Sequence, residues 1–334
     1  MSHQIRVKDK IVGDGNPTLI IAEIGSNHDQ KLSQAKELID IASECKVDAV
    51  KFQLFKAENF YPKNDPMFSV MKKNECPREW ISELLNYSKT KELIFLASPF
   101  DKEAIDLLYS LDISAFKIAS SETANMSFLR YAASKGKPLI ISTGMSNIAD
   151  ICEAVDIVYS TGNKDIILLH CTSLYPTEVQ DVNLRAMETI KKAFRLPVGY
   201  SDHTLGIHMP IAAVARSACV VEKHFTLSRK LDGPDHSYAI EPDELKQMVS
   251  NIRDIENGLG TYDKQFLTKE KKIARRTSIA AKYKIPKDTV LINDMLVVKR
   301  PATGIEPRFI KALIGQKSTR EIDKDEIITW NMLY

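Results

Sequence analysis

The sequence predicts an α/β chain: a closed (β/α)8 barrel followed by a small β-rich domain. Two observations carry the barrel and a third the second domain. Eight short apolar runs rich in Ile, Val, Leu and Phe alternate with eight stretches of helical period. The turn after the first run reads Gly25-Ser26-Asn27-His28. It lacks the glycine-rich fingerprint carried there by an open, doubly wound sheet, the runner-up architecture. The alternation then stops at Gly258-Leu259-Gly260, and from Ser278 short β-type pieces with turn residues run on to 326–330.

The strands are expected at 19–24, 49–54, 93–97, 115–118, 138–142, 166–170, 197–200 and 219–224. Runs of this length without polar alternation suit strands covered on both faces. The intervening helices are expected at 32–45, 79–89, 102–109, 127–134, 148–160, 184–194, 209–217 and 242–257. Residues 3–15 alternate around Gly13-Asp14-Gly15, which predicts a hairpin plugging the bottom of the barrel. The charged stretch 268–276 reads as a linker helix or extended connection. The resulting division is a barrel domain at 1–260, a linker at 261–275 and a small domain at 276–334.

With 334 residues, 46 Lys and Arg against 44 Asp and Glu, and no basic run, the chain is a poor partner for nucleic acid or membrane surfaces. No apolar run reaches spanning length, and the start MSHQIRVKDK lacks the apolar stretch of a signal peptide, so a cytoplasmic location is expected. Cys45, Cys76, Cys152, Cys171 and Cys219 show no CxxC spacing and read as small buried hydrophobes in a reducing compartment.

The active site of such a barrel lies at the C-terminal ends of its strands. Those ends carry Glu23 and His28; Lys51 and Gln53; Ser98 and Phe100; Lys117, Ser120 and Glu122; Ser142 and Thr143; Ser173 and Tyr175; Ser201, Asp202 and His203; and His224. Lys51 and Lys117 stand inside apolar strand text, where a lone ammonium is too costly to bury. One such lysine suits a Schiff base. Two, with a fan of serines, better suit a small, highly charged ligand such as a phosphate or phosphoenolpyruvate. The plain structural alternative pairs them with barrel carboxylates such as Glu23 and Glu122. His203 and His224 end neighbouring strands and fit either a divalent metal with open positions or two satisfied core imidazoles. His170 and His208 read as structural, and His3 as terminal.

Ten segments in order resemble one family, the bacterial sialic acid synthases with their legionaminic and pseudaminic acid relatives. They are AEIGSNH (22–28), VKFQ (50–53), SPF (98–100), FKIASSE (116–122), STGM (142–145), HCTSLYPT (170–177), YSDHT (200–204), EKHF (222–225), GPDH (233–236) and KRPATGI (299–305). The last is similar to the antifreeze-like, or SAF, domain of these synthases.

The resemblance implies that Lys51, Lys117, Ser120, Ser142, Ser173 and Ser201 hold phosphoenolpyruvate. It implies that Gln53, Phe100, Glu122, Tyr175 and Asp235 contact the sugar. His203 and His224 would ligate a divalent cation, manganese first with magnesium or cobalt as alternatives, and no organic cofactor is implied. Arg300 would reach the site of a partner subunit, in a homodimer with swapped SAF domains. Glu23 matches a site carboxylate with an acid/base or positioning role, and Lys51, Lys117 and Asp235 join it as catalytic candidates.

The implied reaction condenses phosphoenolpyruvate with an acetamido sugar aldehyde and water. Ser173 stands where some members have asparagine, Ala119 where some have glycine and Lys223 where some have arginine, which leaves N-acetylmannosamine and a 2,4-diacetamido-trideoxy sugar both open. A Kdo-8-phosphate-type synthase would need further basic residues for a second phosphate. A bare ice- or glycan-binding module fits poorly with the charges from Lys311 to Glu326.

Overall fold

The computed structural model describes residues 4–273 and 276–334; His3 and the connection at 274–275 lie outside them. The chain divides into two compact units, 1–260 and 261–334.

In the first unit a hairpin of β1 (Ile5–Val7) and β2 (Lys10–Val12) precedes eight parallel strands. These are β3 (Leu19–Gly25), β4 (Ala49–Leu54), β5 (Ile94–Pro99), β6 (Phe116–Ile118), β7 (Leu139–Ser142), β8 (Ile166–Cys171), β9 (Val198–Asp202) and β10 (Val220–His224). The hydrogen-bonded order is β5-β4-β3-β10-β9-β8-β7-β6, and the end strands β5 and β6 lie side by side, so the sheet curls into a (β/α)8 barrel. Neighbours follow chain order around the ring, which excludes the doubly wound alternative.

Helices Leu32–Glu44, Ile81–Thr90, Lys102–Ser110, Met126–Ala133, Ile148–Ser160, Ala186–Phe194 and His208–Ala215 form the seven crossovers, and Pro242–Leu259 follows the last strand. Four of the starts are marked by local caps. Asp101 accepts from Ala104 N at 2.8 Å, and Asn147 and Asp150 form a reciprocal capping box. Two further helices, Ala57–Phe60 and Pro66–Asn74, occupy the connection after β4, where the sequence reading placed none.

Side chains alternate along each strand, outward to the helices and inward to the lumen. The lower lumen is apolar: Leu19, Ile21, Leu96, Ile140, Ile167 and Leu169 pack with Ile5, Val7 and Val12 of the hairpin in one buried cluster. The hairpin does plug the barrel, but its turn is misplaced in the sequence reading. Val7 pairs with Lys10, so the chain reverses at Lys8-Asp9, with Lys8 at φ 57°; Gly13-Asp14-Gly15 comes after β2. The glycines drew the turn because lysine is an unusual occupant of a left-handed position.

The second unit begins with an irregular stretch and helix Thr268–Ile273, then folds around β11 (Ser278–Ala281) and β12 (Leu296–Lys299), paired antiparallel. Isolated bridges such as Ile285 with Ile322 and Ala280 with Ile327 complete it. Its own core gathers Ile279, Ile285, Leu291, Ile305, Leu313 and Ile322.

All five cysteines are free, and four are buried; Cys152 is exposed on its helix, against the expectation for it. Among the described residues no helix is long and apolar enough to cross a membrane.

Candidate active site

Two residues further along the strands the lumen changes character. The inward positions become Glu23, Lys51, Ser98, Lys117, Ser142, Cys171, Ser201 and Glu222, all buried. Lys51 Nζ lies 2.9 Å from Glu23 Oε2, 3.1 Å from Ser98 Oγ and 3.7 Å from Glu222 Oε1. Lys117 Nζ donates to Ser142 Oγ at 2.7 Å and lies 3.3 Å from the same Glu222 oxygen. Ser201 Oγ donates to Glu222 Oε1 at 3.1 Å. Glu222 thus stands between the two ammoniums, and its second oxygen is buried without a hydrogen-bond partner.

Burial raises the Glu23 carboxyl to about 7, with Lys51 opposing. Burial pushes Glu222 the same way, but there Lys117 and Lys51 prevail and hold it low. Burial lowers the Lys117 ammonium against the pull of Glu222, while at Lys51 the two carboxylates outweigh burial and raise it.

The structural alternative for the lysines holds for Glu23 and not for Glu122. The lysines' partners are Glu23 and Glu222, whereas Glu122 is held by its own turn, accepting from Asn125 Nδ2 at 3.0 Å and Ser121 Oγ at 3.3 Å. Glu222 is the residue that the sequence reading missed. The available signal was parity: it shares the inward face of β10 with His224.

Beside Lys117 three loops converge. Gly144 N donates to Ser120 Oγ at 3.0 Å. A Cβ on Gly144 would stand 2.7 Å from that oxygen and 2.3 Å from Ser173 Oγ, so a side chain there would displace both hydroxyls where the loops after β6, β7 and β8 meet. Ser173 Oγ is itself buried and unpartnered. Ser120, Ser142 and Ser173 therefore form a hydroxyl cradle next to the lysine.

On the other side of the mouth His203 follows β9 and His224 ends β10, their ring centroids 5.5 Å apart. His203 Nδ1 is 2.8 Å from the Thr172 carbonyl, which leaves Nε2 free. His224 Nδ1 is buried without a hydrogen bond, and burial lowers its pKa to about 4, keeping the ring neutral at pH 7. Two imidazoles with unspent nitrogens fit a divalent cation. No set of three potential protein ligands gathers among the described residues, so such a cation would keep open positions.

One residue before each histidine, Asp202 and Lys223 pair at 2.5 Å on the outer face and tie β9 to β10. Lys223 therefore points away from the mouth.

The remaining barrel candidates ring the mouth. Gln53 Nε2 donates to Glu23 Oε1 at 2.7 Å. The Tyr175 ring lies 4.2 Å from that of His203. Asp235 Oδ1 accepts from Tyr238 OH at 2.7 Å, and Oδ2 is 3.9 Å from His224 Nδ1. Phe100 meets Phe60 edge-on at 5.0 Å, with Phe55 nearby, just beyond β5. Arg300 belongs to the second unit, exposed directly after β12. His170 bonds the Val182 carbonyl at 2.7 Å, as a structural histidine should.

The model of the NeuB family matches residues 38–264, and that of the SAF domain matches residues 276–333. The chain is 42% identical to an uncharacterized protein of Methanocaldococcus jannaschii, over 99% of this chain and 98% of that one. It is 41% identical to the N,N'-diacetyllegionaminic acid synthase of Campylobacter jejuni, over 93% and 98% of the two chains. Among solved structures, the N-acetylneuraminic acid (sialic acid) synthetase of Leptospira borgpetersenii superposes with a TM-score of 0.78 at 35% identity, covering 82% of this chain and 95% of that one. The chain belongs to the NeuB family of sialic-acid-type synthases and carries a C-terminal SAF domain.

Proposed function

We propose that the chain condenses phosphoenolpyruvate with the open-chain aldehyde of a 2-acetamido sugar and water, releasing phosphate and a nine-carbon sialic-acid-type product. The observation that carries this reading is the polar layer of the lumen. Two buried lysines there adjoin a hydroxyl cradle with an unspent Ser173 oxygen. Ammonium and hydroxyl donors at that density suit phosphate and carboxylate oxygens. Lys51, Lys117, Ser120, Ser142, Ser173 and Ser201 are the proposed phosphoenolpyruvate set. Gln53, Phe100, Glu122, Tyr175 and Asp235 are the proposed sugar set.

In the proposed reaction C3 of phosphoenolpyruvate forms a bond to the aldehyde carbon, whose oxygen takes up the proton that Glu23 holds once the anion is bound, leaving Glu23 a carboxylate. The electron pair leaves C2 cationic, and buried carboxylates at Glu23 and Glu222 stabilise that charge. Water adds to C2 and gives up a proton, for which Glu23, at about 7, is a suitable acceptor. The C2–O bond to phosphorus-bound oxygen then breaks, leaving a ketone and inorganic phosphate. A divalent cation on His203 and His224, manganese first, would supply Lewis acidity toward the aldehyde oxygen.

N-acetylmannosamine is the first substrate reading. A 2,4-diacetamido-trideoxy hexose is the second, favoured by the likeness to the legionaminic acid synthase. The deciding experiment measures phosphate release, with manganese present, from phosphoenolpyruvate and a sugar panel. Release with an unphosphorylated acetamido sugar is expected. Release only with a phosphorylated pentose would replace the proposal by a Kdo-8-phosphate-type synthase.

From the family resemblance we also propose a cytoplasmic homodimer in which Arg300 completes the partner's site. Inactive Arg300→Ala and Lys117→Ala chains, mixed and re-equilibrated, should then regain about a quarter of wild-type activity, half the dimers being mixed with one good site each. No recovery after subunit exchange proven by mass would overturn the swap.

A further inference from the structure

The segment after β10 leaves the barrel at Phe225 and returns at Ile240, which forms a bridge with Phe225. It carries Asp235 to the mouth, yet Asp235 itself is loosely tied. Tyr238, its close partner, belongs to the same loop, and the contact to Ser26 N is long at 3.4 Å. Oδ2 also sits where a Cβ on Gly25 would approach to 2.8 Å, so a small shift of the loop would drive it into or away from β3.

The next residue supplies the tie. His236 is 1% exposed, with Nε2 2.8 Å from Asp29 Oδ1 and Nδ1 2.6 Å from Thr226 Oγ1. Asp29 lies in the turn after β3, and its other oxygen accepts from Gln34 Nε2 at 2.6 Å. Asn27 of the same turn donates to the Phe225 carbonyl at 2.9 Å. The order hydroxyl, imidazole, carboxylate is that of a hydrolytic triad. Thr226 is fully buried, however, so no substrate reaches its oxygen. The chain of bonds is a latch between the two loops.

Resting on the reading of Asp235 as a sugar-side residue, we propose that His236 is a positioning residue that sets Asp235 against β3 and His224 for the sugar half of the reaction. His236→Ala should lower kcat/KM for the sugar about 10²-fold, while the phosphoenolpyruvate dissociation constant, read by calorimetry, stays within about twofold. Thr226→Val, which cuts the other end of the latch with little change of shape, should give the same signature at about tenfold. His236→Gln, which can still donate to Asp29, should restore most of the loss. Thr226→Val carries the test if His236→Ala does not fold.

Unchanged sugar kinetics in Thr226→Val, or losses for both substrates that merely track the folded fraction, would overturn the latch. Asp235→Ala separates the two layers of inference. If it strongly impairs sugar use while the latch variants do not, the latch alone falls. If it leaves sugar use intact, the assignment of Asp235 falls and takes the latch with it.

Discussion

The lower and upper halves of the barrel lumen share strands, inward face and burial, and differ by two residues of chain. Ile21 gives way to Glu23, Ala49 to Lys51, Leu96 to Ser98, Ala115 to Lys117, Ile140 to Ser142, Leu169 to Cys171, Gly199 to Ser201 and Val220 to Glu222. The backbone geometry is common to both layers, so composition alone makes the lower one a core and the upper one a site. The lower layer stabilises by apolar burial and close packing. The upper layer holds four buried charges, an arrangement that rarely adds stability over apolar packing. The barrel tolerates it because the layer beneath, sealed by the hairpin, supplies the stability.

Breaking the upper layer at its rim should have the largest effect. His203→Ala or His224→Ala, or chelation of the wild type, is expected to lower phosphate release by on the order of 10³-fold or more, with manganese restoring only the wild type. Circular dichroism melts should show both variants folded. Activity that survives exhaustive chelation would remove the metal from the scheme.

In the lower layer Ile167→Ala should act in the opposite sense. Urea unfolding should report a loss of about 2–5 kcal/mol, with the apparent phosphoenolpyruvate constant unchanged in the folded fraction. An equal loss of substrate affinity would mean that the two layers are not separable.

Lys117→Met sharpens the contrast from above. Methionine keeps much of the packing volume and removes the ammonium, so the phosphoenolpyruvate constant should rise about 10–100-fold and the sugar constant far less. Trapping of either lysine on a carbonyl substrate by borohydride would replace this reading with a Schiff base.

The smallest effect concerns pH. Burial lowers both His28 and His224 to about 4 from the usual 6.5. Between those values each of these imidazoles binds a proton in the unfolded chain and not in the folded one, so their contribution to stability is complete above about 6.5 and drains away as pH falls toward 4, with Glu23, raised to about 7, opposing part of the slope. Thermal melts across that range should show the slope, and His28→Gln should flatten it. An unaltered slope in that variant would show that His28 titrates normally.

Much of the barrel was legible because two-sided burial writes each strand as a compact apolar run. All eight strands fall where those runs stand, and helix Ile148–Ser160 matches to the residue because its capping box marks the start. The short helices after β4 escaped because Ala57–Phe60 is a single turn and Pro66–Asn74 lies in a connection with no buried residue at all, Met67, Phe68, Val70 and Met71 included. At the site, inward lysines are conspicuous in apolar text, whereas Glu222 was screened by the neighbouring histidine. Glu122 illustrates the opposite case for lysine pairing. Sequence position puts it at a strand end, but a local 3-10 turn supplies its hydrogen bonds.

Glu23 and Glu222 already neutralise Lys51 and Lys117, so these four groups present no net charge to an arriving anion. A multiply negative ligand entering such a balanced site raises the proton affinity of every carboxylate around it. Glu23 stands nearest to responding, since it titrates at about 7 before anything binds. Uptake of phosphoenolpyruvate should therefore draw a proton from solvent, and affinity should weaken as pH climbs past neutrality. Calorimetric titrations in buffers of different ionisation enthalpy would read that proton directly. A heat of binding independent of buffer would mean that the anion enters by displacing the carboxylates rather than by protonating one of them.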